Sequence, residues 1–191
     1  MPDTRNSRLR RGDKTPPKSH CTIVPLSDQH DRAAFSCGAD SLDHYLRKQA
    51  SQDVRKKVAA AFVLTPDGTT VAGFYTLSAH LVNLSDLPIE FAKKLPRYPF
   101  VPATLLGRLA ISTAFQGQGL GEFLLMHAFE KALESSRRVA TAMVVVDAKD
   151  EAARNFYLRY GFVPLESQPN RLLYPMKTIE KLFGSSTGST L

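Results

Sequence analysis

The chain has 191 residues, of which 43% are hydrophobic and 23% charged, a composition typical of one soluble globular domain. Its formal net charge is +7, but residues 1–20 supply +4 of this, so basicity alone is a weak argument for nucleic-acid binding by the domain. The polar, basic N-terminus and the short apolar runs exclude an ordinary secretory signal and a membrane-spanning helix. We therefore expect a cytoplasmic protein.

Three regions are predicted from composition. Residues 1–19 are rich in Arg, Lys and Pro and are predicted to be a disordered basic tail, residues 20–183 to be the domain, and residues 184–191 to be a flexible tail. Cys21 and Cys37 form no metal or redox motif and are expected to be reduced thiols. The histidines are scattered, so no metal site is predicted.

The first half of the domain combines strand and helix patterns. Leu42, Tyr45 and Leu46 have helical spacing, and the turn at residues 66–68 predicts a hairpin between the strands beside it. Proline residues at 96, 99 and 102 then predict an extended loop. The predicted elements are a strand at residues 22–26, a helix at 40–54, strands at 58–64 and 70–81, and a short helix at 88–94.

The second half alternates more regularly. The apolar residues between 125 and 133 recur on one helical face, and Gly161 is placed to cap the helix before it. Strands in series followed by strand–helix–strand–helix predict an α/β protein with a mixed sheet. The predicted elements are a strand at 104–111, a helix at 119–135, a strand at 139–146, a helix at 152–160, and strands at 162–165 and 171–176.

A glycine-rich segment at residues 116–121, here called the glycine loop, lies between a predicted strand and a predicted helix. Its sequence is Gln-Gly-Gln-Gly-Leu-Gly. Glycines allow positive φ and a close backbone approach, and a helix N-terminus adds partial positive charge, so a diphosphate is the natural ligand of this turn. A turn that only connects strand to helix is the simpler interpretation.

Other diphosphate motifs fit poorly. No Walker A string is present, and the third glycine comes one residue too early for the Rossmann fingerprint. The loop instead fits [Arg/Gln]-x-x-Gly-x-[Gly/Ala], and about forty residues later comes Phe-Tyr-Leu-Arg-Tyr-Gly-Phe at residues 156–162. Both motifs, in this order and with these elements between them, resemble the GNAT superfamily of acetyltransferases.

The resemblance implies a GNAT fold, in which a mixed, twisted central sheet with a splayed parallel strand pair is flanked by helices. It also implies acetyl-CoA as acetyl donor and no metal. The backbone of Leu109, Ala110 and Ile111 would meet the pantetheine arm, and the acetyl thioester would lie between this strand and residues 144–146. The other coenzyme-binding residues that it implies are Gln116, Gly117, Gln118, Gly119, Leu120, Gly121 and Asn155.

Amide formation from a thioester requires a neutral amine and an acid for the leaving thiolate. By resemblance Tyr157 is the acid, since a tyrosine near its usual pKa of ~10 is protonated at neutral pH. Tyr160 is expected to be a packing residue with a tethered hydroxyl. No carboxylate stands out as a base; an α-amine, with a pKa of ~8, is partly neutral already and needs only positioning, although a water-relayed Asp or Glu stays open.

Within the superfamily, residues 20–183 resemble the GNAT toxins of bacterial toxin–antitoxin pairs. The resemblance implies acetylation of the α-amino group of an aminoacyl-tRNA, which inhibits translation, and neutralisation by a ribbon-helix-helix antitoxin; such toxins are often homodimers. The segments that carry it are residues 35–38, 42–46, 52–53, 73–78, 106–110, 116–121, 146–148 and 156–157.

An RNA-binding surface follows from this resemblance, because phosphate contacts favour clustered Lys and Arg. A solvated basic face is the alternative for each cluster. The candidate residues are Arg47, Lys48, Arg55, Lys56, Lys57, Lys93, Lys94 and Arg97, with Arg137 and Arg138 as a third group.

Three other functions stay open at this point. A GNAT acetyltransferase for a small-molecule or protein amine would share every coenzyme residue and differ in the acceptor cleft. A non-catalytic module would not need Tyr157, and a purely nucleic-acid-binding protein would not need the glycine loop. The sequence does not name the acceptor amino acid.

Overall fold

A computed structural model describes residues 21–184, in which seven strands form one sheet of order β1-β2-β3-β4-β5-β7-β6. Every neighbouring pair is antiparallel except β4 and β5, which are parallel. This confirms the predicted mixed sheet with one parallel pair. The strands are β1 Thr22–Pro25, β2 Ala60–Thr65, β3 Gly73–Asn83, β4 Phe100–Ile111, β5 Met143–Asp147, β6 Val163–Pro164 and β7 Arg171–Pro175.

Helices cover both faces of the sheet. Successive residues of β3 enter different cores, because side chains alternate along a strand: Phe74 packs under the first two helices and Tyr75 under the long fourth one. A third core lies where β3 ends and β4 begins, around Val82 and Val101. The helices are α1 Asp40–Lys48, α2 Ala50–Arg55, α3 Ile89–Ala92, α4 Leu120–Ser136, α5 Glu151–Arg159 and α6 Met176–Gly184, with 3₁₀ turns at Leu84–Asp86 and Thr113–Phe115.

Most predicted elements are present with ends shifted by one to three residues, and three differ more. The helix predicted at 40–54 is broken at Gln49, whose φ and ψ of −115° and −37° separate α1 from α2. The strand predicted at 104–111 begins at Phe100 and contains Pro102; this proline precedes the pairing with β5, which starts at Ala103 opposite Met143, so its missing N–H costs no hydrogen bond there. The strand predicted at 139–146 begins only at Met143.

The chain ends differ as well. The last predicted strand stops at Pro175, and the chain passes directly into α6, a helix that the sequence analysis did not predict. Gly161 has φ of +88° at the end of α5, as predicted for a helix cap. The predicted tail at residues 1–19, and the predicted C-terminal tail beyond residue 184, lie outside the described residues.

Candidate active site

A gap opens where the parallel strands separate. The two strands pair over three positions only, from Ala103 opposite Met143 to Leu105 opposite Val145, although β4 continues to Ile111 and β5 to Asp147. Beyond these positions neither strand hydrogen-bonds to the other. The gap expected between residues 109–111 and 144–146 is therefore present, but Val144 and Val145 still belong to the paired part.

A β-bulge lies at the vertex of this gap. Thr76 of β3 pairs with Arg108 and Leu77 pairs with Leu106, so Gly107 is an extra residue in β4. A Cβ at Gly107 would come within 3.2 Å of the Thr76 hydroxyl, which favours glycine there. A bulge interrupts the hydrogen-bond ladder and leaves backbone groups available at the point where the strands part.

The glycine loop leads from β4 into the N-terminus of α4. Gly117 and Gly119 have φ of +78° and +72°, a left-handed conformation that glycine adopts without strain, and Gly119 is the N-cap of α4. Leu120 is 2% exposed and anchors the first turn in the core. The first amides of a helix have no partner inside the helix, so this turn presents donors and positive potential to an anion.

The side chain of Gln116 holds this loop in place through hydrogen bonds. Its side-chain Nε2 donates to the carbonyl of Ile111 at 3.0 Å and to that of Cys37 at 3.2 Å. The amide of Thr113 donates to the carbonyl of Ser36 at 2.8 Å. The side chain of Gln116 therefore ties the loop to the end of β4 and to the segment before α1.

Asp43 holds that segment in place, and the sequence analysis quoted it only as part of a motif. It is 3% exposed and accepts hydrogen bonds from the Cys37 amide at 2.9 Å and the Ser36 hydroxyl at 3.1 Å. Burial alone would raise the pKa of Asp43, but the hydrogen bonds from Cys37 and Ser36 outweigh burial and keep the pKa below its usual range. Asp43 therefore supports the glycine loop indirectly. It holds Ser36 and Cys37, and the carbonyls of these two residues accept the hydrogen bonds from Thr113 and Gln116.

Tyr157 lies on α5, which Asp150 caps by accepting from the Ala153 amide at 2.8 Å. The Tyr157 ring is 7% exposed and makes edge contacts with Phe156 and Phe162, at centroid distances of 5.2 and 5.1 Å. Burial raises its pKa, so the hydroxyl stays protonated. Within residues 21–184 no hydrogen bond engages this hydroxyl, which leaves it available as a donor.

Two contacts couple α5 to the glycine loop and to the first turn of α4. A Cβ at Gly121 would lie 3.3 Å from the ring of Phe156, so glycine allows the two helices to approach closely. The hydroxyl of Tyr160 donates to Glu122 at 3.2 Å, which confirms the expected tethered hydroxyl. Asn155 is exposed on α5 and its side chain has no hydrogen bond within the described residues, so its coenzyme role stays a prediction.

The carboxylates of Asp53 and Asp147 already have hydrogen-bond partners within the protein. Asp53 accepts from the Tyr45 hydroxyl at 3.0 Å, and Asp147, the last residue of β5, binds Arg171 through two contacts of 2.6 and 2.8 Å. His80 of β3 pairs with Ala103, the first residue of β4 that pairs with β5. Burial, and then the charge of Arg171, lower the pKa of His80, and its buried Nε2 has no partner in the described part of the chain. His80 is a neutral group that could accept a proton, which sequence reasoning missed.

The predicted RNA-binding residues fall into three groups. Arg47 is bound to Asp43 and Lys93 to Glu90, so these two also have internal roles. Lys57 and Arg138 line the same cavity of about 610 Å³ at the C-terminal end of α4, away from the glycine loop. The remaining residues are exposed and, within the described chain, have no ion pair; they are Lys48, Arg55, Lys56, Lys94, Arg97 and Arg137.

Within residues 21–184, no group of three or more His, Cys, Asp or Glu side chains is placed to hold a metal ion, and both cysteines are free thiols. None of the helices in this range is long and apolar enough to cross a membrane.

The sequence is similar to a known protein family and to curated proteins. A family profile described as an acetyltransferase (GNAT) domain matches residues 59–164. The chain is 32% identical over 171 residues to the probable toxin TacT of Sinorhizobium fredii, covering 85% of this chain and 94% of that protein. It is 35% identical over 159 residues to a tRNA-acetylating toxin of Mycobacterium tuberculosis, covering 83% and 94% respectively.

The fold of this chain is also similar to that of solved toxin structures. The fold is similar to that of AtaT complexed with acetyl-methionyl-tRNAfMet, with a TM-score of 0.79 and 35% identity over 85% of this chain and 99% of that chain. It is also similar to a Tyr-to-Phe mutant of AtaT bound to the C-terminus of the antitoxin AtaR and acetyl-CoA, with a TM-score of 0.73 and 32% identity over 86% and 98%.

Proposed function

Because this chain belongs to the GNAT family and is an acetyl-CoA-dependent N-acetyltransferase, we propose that it acetylates the α-amino group of an aminoacyl-tRNA and inhibits translation as a toxin. The observation that carries the proposal is the separation of β4 from β5 after Leu105, with the glycine loop at one end of the gap. This arrangement suits a long, flexible thioester whose diphosphate sits at a helix N-terminus.

The coenzyme residues fit this role through their backbone. The amides of Gln118, Gly119 and Gly121 would hold the pyrophosphate, and the left-handed glycines leave no Cβ in the way. Residues 109–111 of β4 lie beyond the last position that pairs with β5, so their backbone can meet the pantetheine arm. Acetyl-CoA supplies an acetyl thioester to this gap.

Tyr157 would then supply the proton for the leaving group. The acceptor nitrogen forms a bond to the acetyl carbon, the carbon–sulfur bond breaks, and the Tyr157 hydroxyl gives its proton to the departing thiolate. The proton that the amine loses restores the tyrosine through solvent. Burial of the ring keeps the hydroxyl protonated until that moment.

The acceptor is inferred from chemistry and from the relatives together. Tyr45 and Arg171 already hold Asp53 and Asp147, and an α-amine with a pKa of ~8 needs less help from a base than a lysine amine at ~10.4. The M. tuberculosis relative is named for acetylating tRNA, and AtaT was solved with acetyl-methionyl-tRNAfMet. An aminoacyl-tRNA is therefore the acceptor class that we propose.

A toxin of this kind requires a neutralising partner. AtaT was solved with the C-terminus of its antitoxin AtaR, and AtaT–AtaR and KacTA complexes were solved with DNA. We extend this to a cytoplasmic toxin, a homodimer, that a ribbon-helix-helix antitoxin neutralises. An adjacent gene for a small ribbon-helix-helix protein would support this part.

The test is an acetyl-transfer assay. The purified protein is incubated with radiolabelled acetyl-CoA and a charged total tRNA pool, and the label is followed into base-labile aminoacyl-tRNA. Transfer that an uncharged pool does not support is the expected result. Acetyl-CoA binding without label on tRNA would contradict the proposal and favour a small-molecule or protein amine as acceptor.

A further inference from the structure

The bulge in β4 gives Arg108 an unusual place in the site. Since Gly107 is the extra residue, Leu106 and Leu109 pack toward the core under α4, whereas Arg108 and Ala110 face α1 and α2. Arg108 therefore lies one residue before the strand segment at 109–111, at the vertex of the gap. It occupies the sheet face opposite α4, whose N-terminus carries the glycine loop.

The guanidinium of Arg108 is held by an aromatic ring. Its Cζ lies 3.5 Å from the centroid of the Tyr45 ring, a cation–π contact. Tyr45 is only 2% exposed, and its hydroxyl donates to Asp53 at 3.0 Å, so the ring cannot turn away. Burial, and then the bond to Asp53, raise the pKa of Tyr45 to about 12, so no tyrosinate neutralises the arginine.

Arg108 is the exception among the partly buried arginines. Arg171 binds Asp147, Arg154 binds the Pro169 carbonyl, and Arg32 binds Ser51 and Asp28. No hydrogen bond or ion pair within residues 21–184 engages the guanidinium of Arg108. A fixed, half-buried guanidinium whose donors are unused is suited to bind a planar or tetrahedral anion from outside the described chain.

We infer that Arg108 anchors the 3′ end of the aminoacyl-tRNA by binding one of its phosphates, and so positions the α-amine at the gap. This inference rests on the proposed function. The amino acid of an aminoacyl-tRNA is esterified and has no carboxylate, so the nearest anions to its amine are the phosphodiesters of the terminal nucleotides. A phosphate of the coenzyme is the other source of the same chemistry.

The experiment compares Arg108→Gln and Arg108→Met with wild type, because Met keeps an apolar chain over Tyr45. Steady-state rates are measured with charged total tRNA and with acetyl-CoA, each varied in turn. We expect KM for charged tRNA to rise roughly 10-fold or more and KM for acetyl-CoA to stay within about twofold. The slope of log kcat/KM against log salt should become shallower by about 0.7 to 0.9, as for one lost phosphate contact.

Two further variants sharpen the test. Arg108→Lys restores the charge without the planar fork, so the salt slope should return while KM stays raised. Arg32→Gln is the matched control, because its guanidinium is satisfied by Ser51 and Asp28; neither KM nor slope should change.

Each remaining outcome contradicts the inference in a distinct way. A rise in KM for acetyl-CoA alone would assign Arg108 to the coenzyme phosphates. If KM and the salt slope for charged tRNA do not change, Arg108 is a packing residue over Tyr45. The same follows if the variants melt at a lower temperature and kcat/KM falls equally for charged tRNA and for acetyl-CoA. If wild type labels no tRNA, the acceptor assignment fails and the anchor fails with it.

Discussion

At the scale of single residues, the hydroxyl of Tyr157 has no hydrogen-bond partner between residues 21 and 184, and its ring is fixed by Phe156 and Phe162. Tyr157→Phe keeps those ring contacts and removes only the proton donor. We expect kcat to fall by roughly 10² to 10⁴, the usual value of a positioned acid, with KM for acetyl-CoA unchanged. Because burial raises the pKa of Tyr157 above ~10, ionisation of this hydroxyl should not lower the wild-type rate as pH rises from neutral to about 8.5.

Tyr160→Phe is the control for this experiment. It removes a hydroxyl from the same helix, but one that is bound to Glu122. Its kcat should stay close to that of wild type. Equal losses in both variants would mean that either change merely disturbs α5, and Tyr157 would lose its role as acid.

Asp43 makes a second residue-scale prediction, on stability. Asp43→Ala leaves the buried donors of Ser36 and Cys37 unpaired, which should lower the free energy of unfolding by about 1 to 3 kcal/mol at pH 7. The folded pKa of Asp43 is depressed, so its stabilisation is complete above the unfolded pKa of ~3.9 and is lost as pH falls through the folded value. Urea denaturation at pH 7 and pH 3.5 should show the difference from wild type shrinking in acid.

Asp67 supplies the comparison for Asp43. It also accepts from backbone and hydroxyl donors, those of Thr69 and Thr70, but it is exposed in the hairpin turn. Water can replace its oxygens, so Asp67→Ala should cost less than Asp43→Ala. A larger effect at Asp67 would show that burial does not govern the cost.

At the scale of elements, the glycine loop can be tested against a turn of the same conformation. Gly117 and Gly68 have φ of +78° and +85°, and a Cβ on either would meet nothing within 4 Å. Alanine at either position should therefore cost a similar ~1 to 2 kcal/mol of backbone strain. Only Gly117→Ala should raise KM for acetyl-CoA, since Gly68 lies in the hairpin between β2 and β3.

Thermal melts and coenzyme titration of the two variants check this prediction. Equal, small changes in affinity would indicate that the glycine loop is a connecting turn, the simpler interpretation of its sequence. A selective loss at Gly117 would identify the loop as the diphosphate site.

The elements that the sequence predicted best are those that local pattern controls. The glycine loop and α4 follow from glycine spacing and an apolar face that recurs within one helix. The break at Gln49 was not predicted, because no Gly or Pro stands there and local sequence carries no signal for it. The helix α6 does have a local signal, since Met176, Ile179 and Phe183 recur at helical spacing, but the sequence analysis overlooked it.

Side-chain networks were harder to predict than elements for the same physical reason. The contact between Arg108 and Tyr45 joins residues 63 positions apart in the sequence, and the bond from Gln116 to Cys37 joins residues 79 apart. Such pairs exist only after the sheet has formed, because strand register brings them together. The backbone parts of the site could therefore be predicted from sequence, whereas Arg108, Asp43 and His80 needed the fold.

At the scale of the whole molecule, four exposed basic residues lie on segments other than those that carry the glycine loop. Arg55 and Lys56 end α2, and Lys94 and Arg97 lie in the connection between β3 and β4. Separation of basic surface from coenzyme site is what a large polyanionic acceptor requires, because its phosphates extend well beyond the acetylated end. A small amine would use no such surface.

The salt dependence of the reaction distinguishes these two acceptors. Arg55→Gln with Lys56→Gln should make the slope of log kcat/KM for charged tRNA against log salt shallower by roughly 1.4 to 1.8, as for two lost phosphate contacts. Lys177→Gln with Lys181→Gln removes the same charge from α6 and should leave the slope unchanged. With acetyl-CoA saturating, the slope reports the acceptor alone; if both double variants shift it equally, net charge rather than a defined surface attracts the RNA.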